Sequence, residues 1–254
     1  MGYKFEEGKH IHTLDGKPLM GVTTVLSVIS KPALIQWSAS EAVNHIENNS
    51  VSFKDFILKI ETKPKVEIVI VPAVIGDDLR VVSDETLKEA RTAHRKKKEK
   101  AGDWGTAVHL AVEEWIKEQK EPTNLDEKGM EAFNNFKNWA TENKVEFLES
   151  ERHIWSKELW IGGIVDLVFK MDGKKYIGDI KTSSGIYNEA FFQMGAYHLC
   201  LDEMGEAKDV EGYIVINLKK DGKMDLKMAT DMEMNQNAFK YALGLYKIIN
   251  SLKK

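Results

Sequence analysis

The sequence predicts an α/β (α+β) protein with a mixed central β-sheet flanked by helices and an N-terminal strand and helix elaboration. Three observations carry that expectation. Past residue 83 the apolar periodicity changes from helical to alternating and back, so that helices, three strands, a helix, two strands and a last helix follow in order. Asp172-Gly173 separates two strand-like runs by two residues, the strongest short hairpin signal. The chain has 254 residues, 43% of them hydrophobic, enough for a sizeable core; that excludes disorder and a collagen-like fibre.

Residues 1–82 read as the elaboration, packed on a core of 83–254, with the whole expected to form one compact domain. To about Ile29 the chain reads as strands, with Asp15-Gly16 as a tight turn. Ser30-Lys31-Pro32 opens a helix that carries Trp37 and Ile46, and Ile68-Val69-Ile70-Val71 has the makeup of a short buried strand. Ser83-Asp84-Glu85 is a cap followed by acids in a first turn, which predicts a helix to about Lys100. A second helix covers Gly105 to Glu118, Pro122 marks a break, and a third covers Lys128 to Asn143. Strands are predicted over 151–158, 161–171 and 174–182, then a helix from Asn188 to Met204. Strands 211–219 and 223–229 flank the turn Asp221-Gly222, and the last helix covers 234–252.

Thirty-six Lys and Arg against 40 Asp and Glu give a net charge of −4. Mild acidity argues against a binder that is polycationic all over, while leaving room for a local basic groove. Cys200 stands alone, so an intramolecular disulfide, a cysteine-based zinc site and an iron–sulfur cluster held by this chain are excluded. No apolar run approaches the ~18 residues of a membrane span, and Met1 to Glu7 has no apolar signal core. The expectation is a soluble, cytoplasmic protein with no membrane partner.

The two-residue loop at Asp172-Gly173 sets the register and puts Asp166 directly opposite Asp179. Two carboxylates at such a distance repel, and a fold keeps the pair when a proton or cation lies between them. Lys181, two residues beyond Asp179, shares its face. Val165, Leu167, Phe169, Tyr176 and Ile180 form the opposite, core-facing side. The alternative is a solvated hairpin face, but Val168 and Ile177 on the acidic side argue that it is covered too.

In the helix from Gly105, His109 and Glu113 are four apart, at the edge of a stripe of Val108, Ala111, Val112, Trp115 and Ile116. A lone histidine there is ordinarily a hydrogen-bonded boundary residue. Gln193 and Tyr197, also four apart, lie on a helix that is apolar nearly all round. An amide in that setting needs partners, either in a site or on neighbouring backbone, and the residues leave both open. Arg91, Arg95 and Lys98 fall on one face of the basic helix 83–100, which is either a solvated face or a clamp on a phosphate backbone. His10 and His12, with no acid or thiol nearby, read as surface residues. There is no Walker loop, dinucleotide glycine fingerprint or nucleophile elbow.

Four of these stretches together resemble the PD-(D/E)XK nuclease superfamily, in its RecB-like and phage exonuclease branch. They are Gly105-Thr-Ala-Val-His109 with Glu113, Gly163-Ile-Val-Asp166, Asp179-Ile180-Lys181 and Gln193-Met-Gly-Ala-Tyr197, in the family's order and spread over residues 90–220. Gly21-Val22-Thr23-Thr24-Val25-Leu26 is similar to the N-terminal stretch of phage-borne members. The proline of the family's name is absent, with Val165 before Asp166, and the four cluster cysteines of the iron–sulfur members are missing.

The resemblance implies a restriction-endonuclease-like core and a metal-dependent DNA nuclease, expected to be an exonuclease in phage or bacterial DNA recombination, repair or processing. A structure-selective endonuclease and an inactive nucleic-acid-binding or assembly factor are the alternatives. The implied cofactor is Mg²⁺ or Mn²⁺, one or two ions, held by His109, Asp166, Asp179 and the carbonyl of Ile180. Imidazole suits Mn²⁺ better than Mg²⁺, so Mn²⁺ is expected to support activity at least as well. Lys181 would orient the attacking water or stabilise the phosphate, and Glu113 would hold a second ion through water or orient His109. Gln193, Tyr197 and Thr182 would contact DNA or fix Lys181, with Arg91, Arg95 and Lys98 guiding the strand. The implied partner is linear DNA, single- or double-stranded, with a recombinase or single-strand-binding protein as a candidate companion. Polarity and oligomeric state are left open.

Overall fold

From the N-terminus run β1 (Tyr3–Glu6), a 3-10 turn (Glu7–Lys9), β2 (Ile11–Leu14), β3 (Lys17–Pro18), β4 (Met20–Gly21), α1 (Val22–Leu26), α2 (Pro32–Asn49), β5 (Val51–Ser52), β6 (Val71–Ile75) and β7 (Asp78–Val82). Then come α3 (Asp84–Glu118), α4 (Glu127–Glu142), β8 (Glu146–Ser156), β9 (Ile161–Met171), β10 (Lys174–Lys181), α5 (Asn188–Glu203), β11 (Val210–Leu218), β12 (Met224–Ala229) and α6 (Met232–Ser251). The structure is a computed structural model that describes residues 2–29, 31–52, 71–75 and 78–252, with backbone alone for 32–33, 71–75 and 78–80. The strand expected at Ile68–Val71 lies, except for Val71, outside the described residues.

Two compact units are present, Met1–Ser30 with Trp104–Lys254 and Lys31–Asp103. β4 pairs in parallel with β9 (Met20↔Ile161, Gly21↔Gly162) and joins the N-terminus to the main sheet. The smaller unit holds α2, the three-stranded sheet β5-β7-β6 and α3 through Asp103. Within it Lys97 Nζ lies 2.7 Å from Glu41 Oε1, joining α3 to α2.

The larger unit is a three-layer sandwich. Its sheet runs β12-β11-β10-β9-β4, with β8 on the other edge of β9. β10 and β11 are parallel, and the neighbouring pairs β9–β10, β8–β9 and β11–β12 are antiparallel. On one face Leu167, Phe169, Tyr176 and Ile180 pack with Val108 and Val112 of α3 and Phe133 and Phe136 of α4. On the other, Val168 and Ile177 pack with Phe191 and Met194 of α5, Phe239 of α6 and Val25 of α1. Burying one such large side chain contributes roughly 1.5–3 kcal/mol, so both faces of the hairpin are anchored. No helix among the described residues is long and apolar enough to cross a membrane.

Four expectations are corrected. The two helices expected either side of residue 100 are one, α3, since Gly102 and Gly105 each cost only about 1 kcal/mol against alanine and no proline intervenes. Residues Val22–Leu26 are helical rather than extended, with Val22, Val25 and Leu26 buried at helical spacing. His12 is buried, not on the surface: its Nδ1 lies 2.6 Å from the Tyr3 hydroxyl, and its Cβ fills the space beside Gly162. Burial first, then the neighbouring His10 and His153, push its pKa down to about 4. Finally, Val165 belongs with Val168 and Ile177, not with Leu167 and Phe169. Residues three apart cannot share a face in strict alternation, so the pleat resets at Asp166.

Candidate functional site

The reset lies where the sheet opens. One edge of β9 pairs with β4 at Gly162 and with β10 from Leu167 onward, leaving 163–166 between them unpaired on that edge. The observed register, Lys174↔Met171 through Gly178↔Leu167, is the one the Asp-Gly turn predicts. The ladder stops one pair short of the acids. Asp166 Oδ2 instead accepts the Ile180 N–H at 2.7 Å, so a carboxylate takes the place of a strand partner.

Asp179 is fully buried. Lys181 Nζ stands 2.7 Å from both its oxygens, yet the hydrogen bond goes to Oδ1, and Oδ2 has no hydrogen-bond partner of good geometry among the described residues. Lys181 also donates to Gln193 Oε1 at 3.3 Å, and Gln193 Nε2 donates to the Tyr197 hydroxyl at 2.5 Å. The open question over Gln193 is thereby answered: its partners are site side chains. Tyr197 reaches the sheet because Gly163 has no side chain; a Cβ there would stand 2.8 Å from Tyr197 Cε1.

From the other face α3 delivers His109. A Cβ on Gly105 would stand 2.7 Å from Thr182 Oγ1, so that glycine lets the helix close on the end of β10. His109 Nδ1 lies 3.8 Å from Asp166 Oδ2. Burial, then the Lys181 charge, push His109 down to about 4, so the imidazole is neutral at pH 7 with a lone pair free for a metal.

Glu151 is the residue that sequence reasoning missed. It sits in β8 opposite Asp166, between the pairs Ser150↔Leu167 and Arg152↔Val165, with a left-handed φ of 53°. The kink carries its carboxylate to the site: ligand atoms of His109, Glu151 and Asp166 all lie within 4.8 Å of one another. The signal is weak because the sequence pattern starts a strand only at Glu151, whereas β8 begins at Glu146.

Glu113, one turn beyond His109, pairs with Lys117 at 2.6 Å. Thr182 is half-buried against α3. Arg91, Arg95 and Lys98 are exposed on the part of α3 that belongs to the smaller unit.

The electrostatics have one sign. Burial, assisted by Asp166, pushes Asp179 up to about 6 even with Lys181 against it. Burial raises Asp166 as well, and burial, Asp166 and Glu113 push Glu151 up to about 7. Burial works against the Lys181 ammonium, but Asp179 and Asp166 outweigh it and raise its pKa. Tyr197 is held well above the usual phenol range by burial and then by the two aspartates, so it stays a donor. The ammonium of Lys181 lies on Asp179, which stands outside the group that His109, Glu151 and Asp166 form. Two carboxylates with a neutral imidazole suit a hard or borderline divalent cation.

No family model matches the chain, and no curated protein matches it. Among solved structures it is similar to the one described as "Crystal structure of SSO0001", at 15% identity and a TM-score of 0.27. The match covers 45% of this chain and 56% of that one, so the chain spans little more than half of that structure.

Proposed function

We propose that the protein is a divalent-metal-dependent deoxyribonuclease that hydrolyses phosphodiester bonds in linear DNA as an exonuclease. One observation carries the reading: at the opening of the sheet Asp166 accepts the Ile180 N–H, one residue beyond Asp179, and Lys181 pairs with the Asp179 carboxylate. The order of strands and helices around that opening agrees with a restriction-endonuclease-like core, which supports the same reading.

His109, Glu151, Asp166, Asp179 and the carbonyl of Ile180 would hold Mg²⁺ or Mn²⁺. When bound, such a cation neutralises charge on a phosphate and makes a water acidic enough to attack it. The chain's own residues then have separable tasks. Lys181, tethered to Asp179 and Gln193, presents a fixed ammonium to the water or to a phosphate oxygen. Gln193 and Tyr197 limit its rotamers, which places the charge before substrate arrives. Val168, Ile177 and Met194 close the apolar side and keep bulk water from screening it.

The direct test is digestion of end-labelled linear and circular DNA with Mg²⁺ or Mn²⁺, with and without EDTA. Mononucleotides from linear DNA alone, lost on chelation, are the expected result. Activity that survives EDTA excludes the mechanism, and nicking of circles excludes the exonucleolytic part.

Glu151→Gln separates the newly placed acid from the rest. The amide keeps the shape and removes the charge, so Mn²⁺ affinity measured by calorimetry without DNA should weaken about 10–100-fold, the range seen when a residue supporting a metal is changed. An unchanged affinity would remove Glu151 from the ligand set and leave the other acids in place.

A further inference from the structure

The last helix has two apolar faces, and the fold uses one of them. Phe239, Ala242 and Leu243 of α6 are buried against the sandwich. On a separate flank, Met234, Ala238, Tyr241, Leu245, Ile248 and Leu252 recur at intervals of four, three, four, three and four residues. That is the spacing of a coiled-coil seam, held through almost three heptads. Five of the six are exposed large side chains: Met234 56%, Tyr241 78%, Leu245 48%, Ile248 59% and Leu252 81%. Scattered apolar residues on a surface need no explanation, but an uninterrupted row in heptad register does.

We infer that this row is a homodimer interface, in which α6 pairs with α6 of a second copy about a two-fold axis. Three features favour a second copy as occupant. First, the heptad row is self-complementary, as an isologous contact requires. Second, the exposed row offers on the order of 600 Å² per copy, so pairing buries about 1,200 Å² in total, which reaches the range of specific protein interfaces. Third, the flanks carry no charge: Asn237, Gly244 and Ser251 recur every seven residues along one side, and Ile249 lies on the other. Lys240 and Lys247 fall more than a quarter-turn away, where they keep the outer surface polar without opposing each other across the pair.

Gly244 adds to the argument. A side chain there would meet nothing within 4 Å, so this chain's own packing does not call for a glycine in mid-helix. Beside a row of large apolar residues it leaves room for a partner's backbone. The pairing is independent of the nuclease reading and requires no metal.

The test is sedimentation velocity on the full chain across a dilution series, with thermal melts as a control for folding. The wild type is expected to sediment at twice the 28.9 kDa chain mass at tens of micromolar. Ile248→Glu and Tyr241→Glu lie on exposed positions, so their melts should stay cooperative while the dimer weakens at least about a hundredfold. A wild type that remains monomeric at those concentrations overturns the proposal. So does a dimer that neither substitution weakens, or a trimeric mass. DNA cleavage is not a readout here, so failure of this inference leaves the proposed activity standing, and the reverse holds as well.

Discussion

Asp179→Asn is expected to lower DNA cleavage by about a thousandfold or more without lowering the melting temperature of the metal-free protein. The activity loss follows from position. Asp179 is the anion that holds Lys181, and in the proposed nuclease it would hold a cation with Asp166, so its loss would remove interactions made at the reacting phosphate. Losing one such preorganised group commonly costs about 10²–10³ in rate, and here two roles go together. The stability half runs against the usual rule for buried ion pairs, where removing a partner destabilises by about 3–5 kcal/mol. Burial and Asp166 hold the Asp179 pKa at about 6, above its ordinary value. A raised acid pKa means that the ionised form is disfavoured by folding, so at pH 7 the charge opposes the fold. An isosteric neutral amide relieves that repulsion, and Lys181 still faces Asp166. Adding Mn²⁺ should raise the melting temperature of the wild type and leave that of the variant nearly unchanged. A variant that melts lower and cleaves normally would make Asp179 a structural ion-pair residue.

That combination, acids kept at a cost to stability, also explains which parts of the molecule are legible in sequence. The hairpin register is legible because its cause is local. Asp172 and Gly173 both need positive φ, 51° and 74° here, and few other pairs tolerate that. The Ser83 cap, whose hydroxyl accepts the Thr86 N–H at 3.0 Å, is local in the same way. The misread elements depend on distant partners. The Val22–Leu26 stretch has β-branched residues that read as a strand, yet burying Val22, Val25 and Leu26 together outweighs that preference. β4 is two residues long, and its pairing with β9 across 140 residues leaves no periodic trace. Glu151 is hidden for a third reason. Its role comes from a kink in β8 that faces the reset in β9, and neither strand announces the irregularity in its own residues.

The helices behind the site are held with little slack, and Gly195→Ala should expose the link between their packing and the chemistry. Gly195 lies on α5 between Gln193 and Tyr197. A Cβ at that position would stand 2.7 Å from the carbonyl carbon and oxygen of Asn235 and 2.8 Å from the Gln236 nitrogen, all backbone atoms of the first turn of α6. Backbone cannot swing aside as a flexible side chain does, so α5 and α6 must separate, at a cost of about 1–3 kcal/mol. The shift is carried to Gln193, which reaches Lys181 at 3.3 Å, and to Tyr197, which rests against Gly163. Displacing a positioning group by about 1 Å can cost on the order of a hundredfold in rate, so kcat should fall while KM changes little. Gly102→Ala supplies the contrast. It too sits inside a helix, but its added Cβ meets nothing within 4 Å, so stability should rise by up to about 1 kcal/mol with cleavage untouched. Equal melting temperatures for the two variants would show that α5 and α6 have room to spare, and the placement of Lys181 would then have to be ascribed to the sheet alone.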